Sequence, residues 1–410
     1  MSSQSLFTII IALLLFDYMK ERLLSFFNAK HFNDTPDTCV SDVYEEEAYL
    51  ESQAYKKTNY HFSIVSSTFS LLLVLIVFYC DGFAILDTYV RALTSNYILQ
   101  TVLYIGILLL GNGFFQIPFS YYRNFVIEEN FGFNKMTPML YFTDILKSLL
   151  LTVSVGGSIL ALIAWCYQLM GSHFWIYTWL FITVFSIFLN VFYASLIAPL
   201  CNKQKPLEDG TLKEKLKALS IRTGFKLDAI FVIDGSKRST KANAYFTGLG
   251  PKKRIVLYDT LIEKLTEDEI VAVFAHEVGH YKKKHIISNL LLSIILTGIP
   301  LYLLSIALES PLLAAALHIE TPSFHVGLIV FSILYGPLSE FTGILMHLVS
   351  RKFEYQADDY AKKYSDAEDL INSLKKLSRS SLSNLTPHKA TVFFYYSHPT
   401  LVQRINNLRK

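Results

Sequence analysis

The constraint that comes first is a series of long apolar runs, uncharged except for Glu340 in the last: Phe62 to Tyr79, Tyr97 to Phe119, Leu149 to Met170, Phe174 to Leu200, Ile286 to Leu308 and Phe324 to Val349. Each is near the length of helix that crosses about 30 Å of hydrocarbon at 1.5 Å per residue. The chain of 410 residues is 52 % hydrophobic and 17 % charged, far more apolar surface than one soluble core needs. A seventh run, Leu6 to Phe16, is short. Asp17 and Lys20 facing a wet interior would let its helix continue toward Phe27. It lacks a basic segment before it and a small-residue cleavage site, so it reads as a retained anchor and not as a signal peptide.

Basic residues prefer the cytoplasmic side of a membrane. With seven spans and the N-terminus outside, every Lys and Arg except Arg91 falls in the cytoplasm, and the short connections agree with the long ones. This sidedness accounts for the net charge of +3 and gives no support to nucleic-acid binding. Cys39, Cys80, Cys166 and Cys201 have no metal-site spacing and are expected to be reduced thiols. The sequons at Asn33 and Asn384 fall on the cytoplasmic side and are expected to be unmodified.

The chain divides into spans and loops over 1–200, a polar domain over 201–285, two further spans over 286–349 and a polar segment over 350–410. In the polar domain, Leu212 to Thr223 reads as an amphipathic helix. Ala229 to Ile233, Ala244 to Gly248 and Arg254 to Tyr258 read as strands, the last two joined through Gly250-Pro251. Thr266-Glu267-Asp268-Glu269 has the pattern of a capping box, with Thr266 as N-cap and Glu269 at the third helical position.

That helix carries His276-Glu277-Val278-Gly279-His280. Residues i and i+4 share a helix face, so both imidazoles can point at one zinc ion while Glu277 lies beside its open position as a general base. A third protein ligand is needed. Glu354 is the candidate, one turn beyond the last span, with Asp358 four residues on to orient a ligand histidine. His398, with Arg404 nearby, is the candidate donor to a tetrahedral oxyanion. His285, at i+5 from His280, is rotated off the shared face. An edge strand beside such a site can pair with an extended substrate.

Taken together with Ile127-Glu128-Glu129-Asn130-Phe131-Gly132-Phe133-Asn134-Lys135, Gly235-Ser236-Lys237-Arg238-Ser239, Asn243-Ala244-Tyr245-Phe246-Thr247-Gly248 and Ser397-His398-Pro399, these motifs resemble the type 1 CAAX prenyl proteases. The resemblance implies a seven-helix membrane barrel around a large water-filled chamber, closed by a cytoplasmic α+β zincin-like protease domain. It implies one zinc ion per chain held by His276, His280 and Glu354, with Glu277 as base, His398 as transition-state stabiliser and Asn243, Ala244, Tyr245 and Phe246 as the substrate-pairing strand. The implied reaction removes the C-terminal tripeptide after a prenylated cysteine. Members of that family also make a second, more N-terminal cut in a prenylated precursor. The implied location is the membrane of the endoplasmic reticulum, extending to the inner nuclear membrane, with the N-terminus lumenal and the C-terminus and active site cytoplasmic. This chain departs from the family at Thr240-Lys241-Ala242, where Ser-His-Ser is usual.

Two rival readings follow from the same residues. A membrane quality-control zinc protease would cut without needing a prenyl group. A non-enzymatic zinc-binding membrane protein would have no use for Glu277, and a transporter would place its site near mid-membrane.

Overall fold

The computed structural model describes residues 2–192, 204–227, 229–242, 244–247 and 254–410, with backbone only for 244–247 and 254. The candidate Asn243, the side chains of Ala244, Tyr245 and Phe246, Cys201, the end of the run Phe174 to Leu200 and the Gly250-Pro251 connection lie outside that description.

Among the described residues, four helical stretches are long and apolar enough to cross a membrane: Glu46–Tyr79, Tyr97–Glu128, Pro138–Phe192 and His285–Ala307. In their most apolar windows only 6 to 17 % of residues are buried. Side chains such as Val65, Leu72, Phe114, Leu180 and Ile295 face outward, as lipid-facing helices require. The stretch Pro138–Phe192 has 55 residues, about 80 Å if straight at the helical rise. Gly171, with φ 55°, interrupts it after Met170. Beyond the break, Phe174–Phe192 lies against His285–Ala307, with Trp179 Nε1 donating to the Ile294 carbonyl at 2.8 Å.

Phe324–Leu334 and Gly336–Tyr364 pass the same test only as a pair, bent by 57° at the break between them. The run from Phe324 to Val349 is therefore not one continuous helix. Pro337 follows Gly336 at the start of the second helix, has no N–H to continue the first helix's ladder, and so permits the bend. The second helix then runs unbroken past Val349 to Tyr364.

The first helix is Ser3–Lys30, 28 residues long and extending well beyond Phe16. The charges that interrupt its apolar run face inward. Asp17 and Lys20 line a cavity of about 610 Å³ between the helices, where Lys20 pairs with Glu340 and, at 3.2 Å, with Asp17. Ser3–Lys30 is not among the four stretches above, and pairing in a protein-lined cavity is what stabilises charges beside apolar helices.

The polar part contains a four-stranded sheet in the order β1 (Gln204–Pro206), β2 (Ala229–Ile233), β4 (Arg254–Tyr258), β3 (Ala244–Thr247). β2 and β4 are parallel, and β3 runs antiparallel to β4 as an edge strand. Ile255 and Leu257 of β4 pack with Phe274 and Val278 of the helix Glu267–Lys282, hereafter the metal helix, and with Ala361, Leu370 and Ile405. One core therefore joins the sheet to the C-terminal segment.

The metal helix lies directly on Gly336–Tyr364, and Gly279 sets the approach. A Cβ there would meet Tyr360 Cβ at 3.0 Å and the Ala357 Cα and carbonyl at 3.1 Å. We predict that Gly279→Ala lowers thermal stability by on the order of 1–3 kcal/mol and lowers bound metal with it, Gly279→Val more so. An unchanged melting curve for Gly279→Val, with full metal content, would remove this contact as the reason for the glycine.

Candidate metal centre

The metal helix begins at the capping box that its sequence suggests. Thr266 Oγ1 accepts from the Glu269 amide at 3.3 Å, and Glu269 Oε2 accepts from the Thr266 amide at 2.8 Å. Lys376 holds the same carboxylate from the neighbouring helix Ala367–Ser380. With this end fixed, His276 and His280 project from the face that Gly279 presses against the helix of Glu354.

The donors of His276, His280 and Glu354 lie within 4.8 Å of one another. The two Nε2 atoms are 3.1 Å apart. Glu354 stands 3.5 Å from His276 Nε2 through Oε2 and 3.3 Å from His280 Nε2 through Oε1. Ligands at 2.0–2.1 Å from a tetrahedral zinc are about 3.3 Å apart, so the triangle has the right size. Glu354 Oε2 is also buried without a hydrogen-bond partner, a costly state for a carboxylate oxygen that a cation relieves. Two imidazole nitrogens and one carboxylate form the donor set of a catalytic zinc site.

The electrostatics agree. Burial pushes the His276 imidazole down, but hydrogen bonds to Asp358 and Glu354 outweigh it and raise it to about 9. Burial opposes ionisation of Glu354 and Asp358, yet both carboxyls are held below their usual range by their histidine partners and Arg404. The meeting point of the three donors therefore favours positive charge.

Asp358, fully buried, accepts from His276 Nδ1 at 2.9 Å, which leaves Nε2 as the free donor atom. Arg404, from the helix Leu401–Leu408, grips Asp358 through both Nε and a terminal nitrogen. Its approach to His276 Nδ1 at 3.3 Å is a packing contact, because the Nδ1 proton is directed at Asp358. His398 places Nε2 3.4 Å from Glu354 Oε1, and its side chain is 61 % exposed. Glu277 and His398 line one cavity of about 580 Å³ together with the three donors, Arg404 and Ala242, the residue two before β3.

Sequence reasoning weighed His285 only as a metal ligand and set it aside; it stands outside the donor group but beside His280. The metal helix ends at Lys282, and Lys284, at φ 60°, turns the chain so that His285 starts a new helix. An i+5 argument does not apply across that turn. His285 Nδ1 lies 3.1 Å from His280 Nδ1, its Nε2 lies 2.8 Å from Gln356 Oε1, and its ring stacks on Phe353 at 4.1 Å. With His280 Nε2 kept for metal, the tautomers follow: His280 Nδ1–H donates to His285, and His285 Nε2–H donates to Gln356.

Lys241 pairs with Glu128 at 2.7 Å, touches the Tyr55 hydroxyl at 3.1 Å and sits 4.3 Å over the Phe133 ring. It ties the approach to β3 to the Ile127 to Lys135 segment. Arg238, bonded to Asp144 at 2.9 Å, ties the same loop to the helix Pro138–Leu151.

Residues 26–203 match the family described as CAAX prenyl protease N-terminal, five membrane helices, and residues 206–410 match peptidase family M48. The chain is 36 % identical over 397 residues to CAAX prenyl protease 1 of Saccharomyces cerevisiae, covering 90 % of this chain and 87 % of that protein. It is 31 % identical over 351 residues to the CAAX prenyl protease 1 homolog of Homo sapiens, covering 76 % and 74 %. The crystal structure of S. mikatae Ste24p has a TM-score of 0.93 at 34 % identity and covers 99 % of both chains. Fold and site together define an integral-membrane metalloprotease. The chain belongs to peptidase family M48, among relatives named CAAX prenyl protease 1.

We predict that Asp358→Asn weakens metal retention roughly 10- to 100-fold, measured by competition with a chelator. His285→Phe keeps a ring on Phe353 but removes the acceptor for His280, and it weakens retention by a smaller factor.

Proposed function

We propose that this chain is a zinc endopeptidase that removes the C-terminal tripeptide from prenylated CAAX proteins after the prenyl-cysteine. The observation that carries this reading is a two-histidine, one-glutamate cluster at the end of a membrane-spanning helix, in a chain 36 % identical to a CAAX prenyl protease over 397 residues. A prenylated tail is half lipid and half peptide, and a membrane-embedded cavity beside a polar site suits both halves.

In this reading His276, His280 and Glu354 hold the ion. When bound, zinc makes water acidic at neutral pH and polarises the scissile carbonyl. Glu277 takes the proton of the attacking water and delivers it to the leaving amine. His398 Nε2, at the cavity rim, donates to the developing oxyanion. Asp358 and Arg404 keep His276 in the tautomer that offers Nε2, as His285 and Gln356 do for His280. The edge strand β3, entered through Asn243 and carrying Ala244, Tyr245 and Phe246, pairs with the extended peptide.

We further propose seven spans enclosing a chamber of which the cavity beside Lys20 and Glu340 is part, with the polar domain of 201–285 and the segment 350–410 in the cytoplasm. Residence is the endoplasmic reticulum membrane, by analogy with the family.

The test is release of the tripeptide from a farnesylated CAAX peptide by purified protein, with zinc measured on each variant. Wild type is expected to cleave the prenylated peptide and spare the unprenylated one. Glu277→Ala keeps zinc and is inactive, Glu354→Ala loses both, and His398→Ala keeps zinc with kcat lowered roughly a hundredfold. Equal cleavage with and without the prenyl group would favour a quality-control protease instead.

A further inference from the structure

A second polar cavity, of about 410 Å³, adjoins the catalytic one. Ser381 and Ser383 line both, and their hydroxyls are 2.8 Å apart. Lys56 and Arg123 line the second cavity, and no carboxylate does among the described residues. Lys56 is only 8 % exposed. Its nearest polar partner is Asn384 Oδ1 at 3.4 Å, and the Phe32 and Tyr49 rings lie 5.9 and 5.7 Å from its ammonium. Beside it, Asn384 Nδ2 is buried without a partner, while Oδ1 accepts from Lys56 and the Thr386 amide. A buried ammonium and an orphaned amide donor in one cavity without acids are both relieved by an anion.

The position of this cavity relative to β3 suggests which anion. A strand added antiparallel to β3 has its C-terminal end beside the start of β3. That start is marked by Ala242, in the wall of the catalytic cavity, and by Lys241, whose ammonium touches the Tyr55 hydroxyl. Tyr55 also lines the Lys56 cavity. A tripeptide beyond the scissile bond reaches about 10 Å when extended and ends in a free carboxylate.

We propose that Lys56, with Arg123 and Asn384, binds the C-terminal α-carboxylate of the peptide tail being removed. This rests on the reading of the chain as a CAAX tripeptide-releasing protease. The site makes the enzyme measure the distance from the cleaved bond to the chain end, and so selects a tail of three residues.

The test compares kcat/KM for two farnesylated peptides, one ending in a free carboxylate and one in a primary amide, with wild type, Lys56→Met and Lys56→Arg, in neutral-lipid vesicles and again in anionic ones. Wild type is expected to favour the acid at least tenfold, the scale of one charge-assisted hydrogen bond. Lys56→Met brings the acid-to-amide ratio near one, and Lys56→Arg retains most of it, which separates charge recognition from misfolding. An unchanged ratio in Lys56→Met, or cleavage of both peptides alike by wild type, overturns the carboxylate site while tripeptide release stands. Release from neither peptide by zinc-loaded wild type overturns the functional reading and this inference with it. If Lys56→Met keeps the ratio but removes a stimulation by anionic vesicles, the cavity binds lipid phosphate and the proposal is wrong.

Discussion

Everything at the site depends on how closely two helices can approach. His276 and His280 are neighbours by helical geometry alone, but Glu354 lies far along the chain and reaches them only because the metal helix rests on Gly336–Tyr364 with hydrogen where any other residue has a Cβ. The contact couples fold to chemistry: a shift of a few tenths of an ångström between the helices moves the third donor away from the other two. It also couples the apolar helices to the site, since Glu354 lies on the same unbroken helix, Gly336–Tyr364, as Glu340 beside Lys20.

Around that contact the charges alternate. Glu354 and Asp358 are buried acids on one helix face, His276 lies between them, and Arg404 covers Asp358 from the C-terminal helix. Leaving any one of these alone in a buried setting is costly, since each group's partner is what offsets its desolvation. The arrangement is complete only with a cation at the donor triangle, where Glu354 Oε2 otherwise lacks a hydrogen bond. The C-terminal segment is therefore part of the site as well as of the core, through Arg404 and His398 on one side and Ile405 and Leu408 on the other.

What could be read from the sequence was local. The capping box at Thr266 and Glu269, strands β2 and β4, and the pairing of His276 with His280 depend on neighbours within a few residues. Glu354 was legible because it falls one turn after an apolar run ends, with Asp358 on the same face. What escaped depended on distant or backbone geometry. The bend near Tyr335 has a local signal in Gly336-Pro337, but the apolar run continues through it, so hydropathy alone joins the two helices. The contact of His285 with His280 depends on the left-handed turn at Lys284, which a helical offset does not describe. Lys241 stands out in the sequence only as a departure from the family pattern, and its place is given by Glu128, Tyr55 and Phe133 around it. In the core shared between sheet and C-terminal helices, the apolar faces such as Leu370, Leu374 and Leu377 are periodic, but their period does not say which element covers them.

The most direct test of the account is zinc K-edge absorption spectroscopy on the purified full-length protein, with metal stoichiometry measured on the same sample. The account predicts one zinc per chain, bound only by nitrogen and oxygen at about 2.0–2.1 Å, with scattering from two imidazoles, and loss of that centre in Glu354→Ala. A sulfur ligand, more than two imidazoles, or a centre unchanged in Glu354→Ala would contradict it.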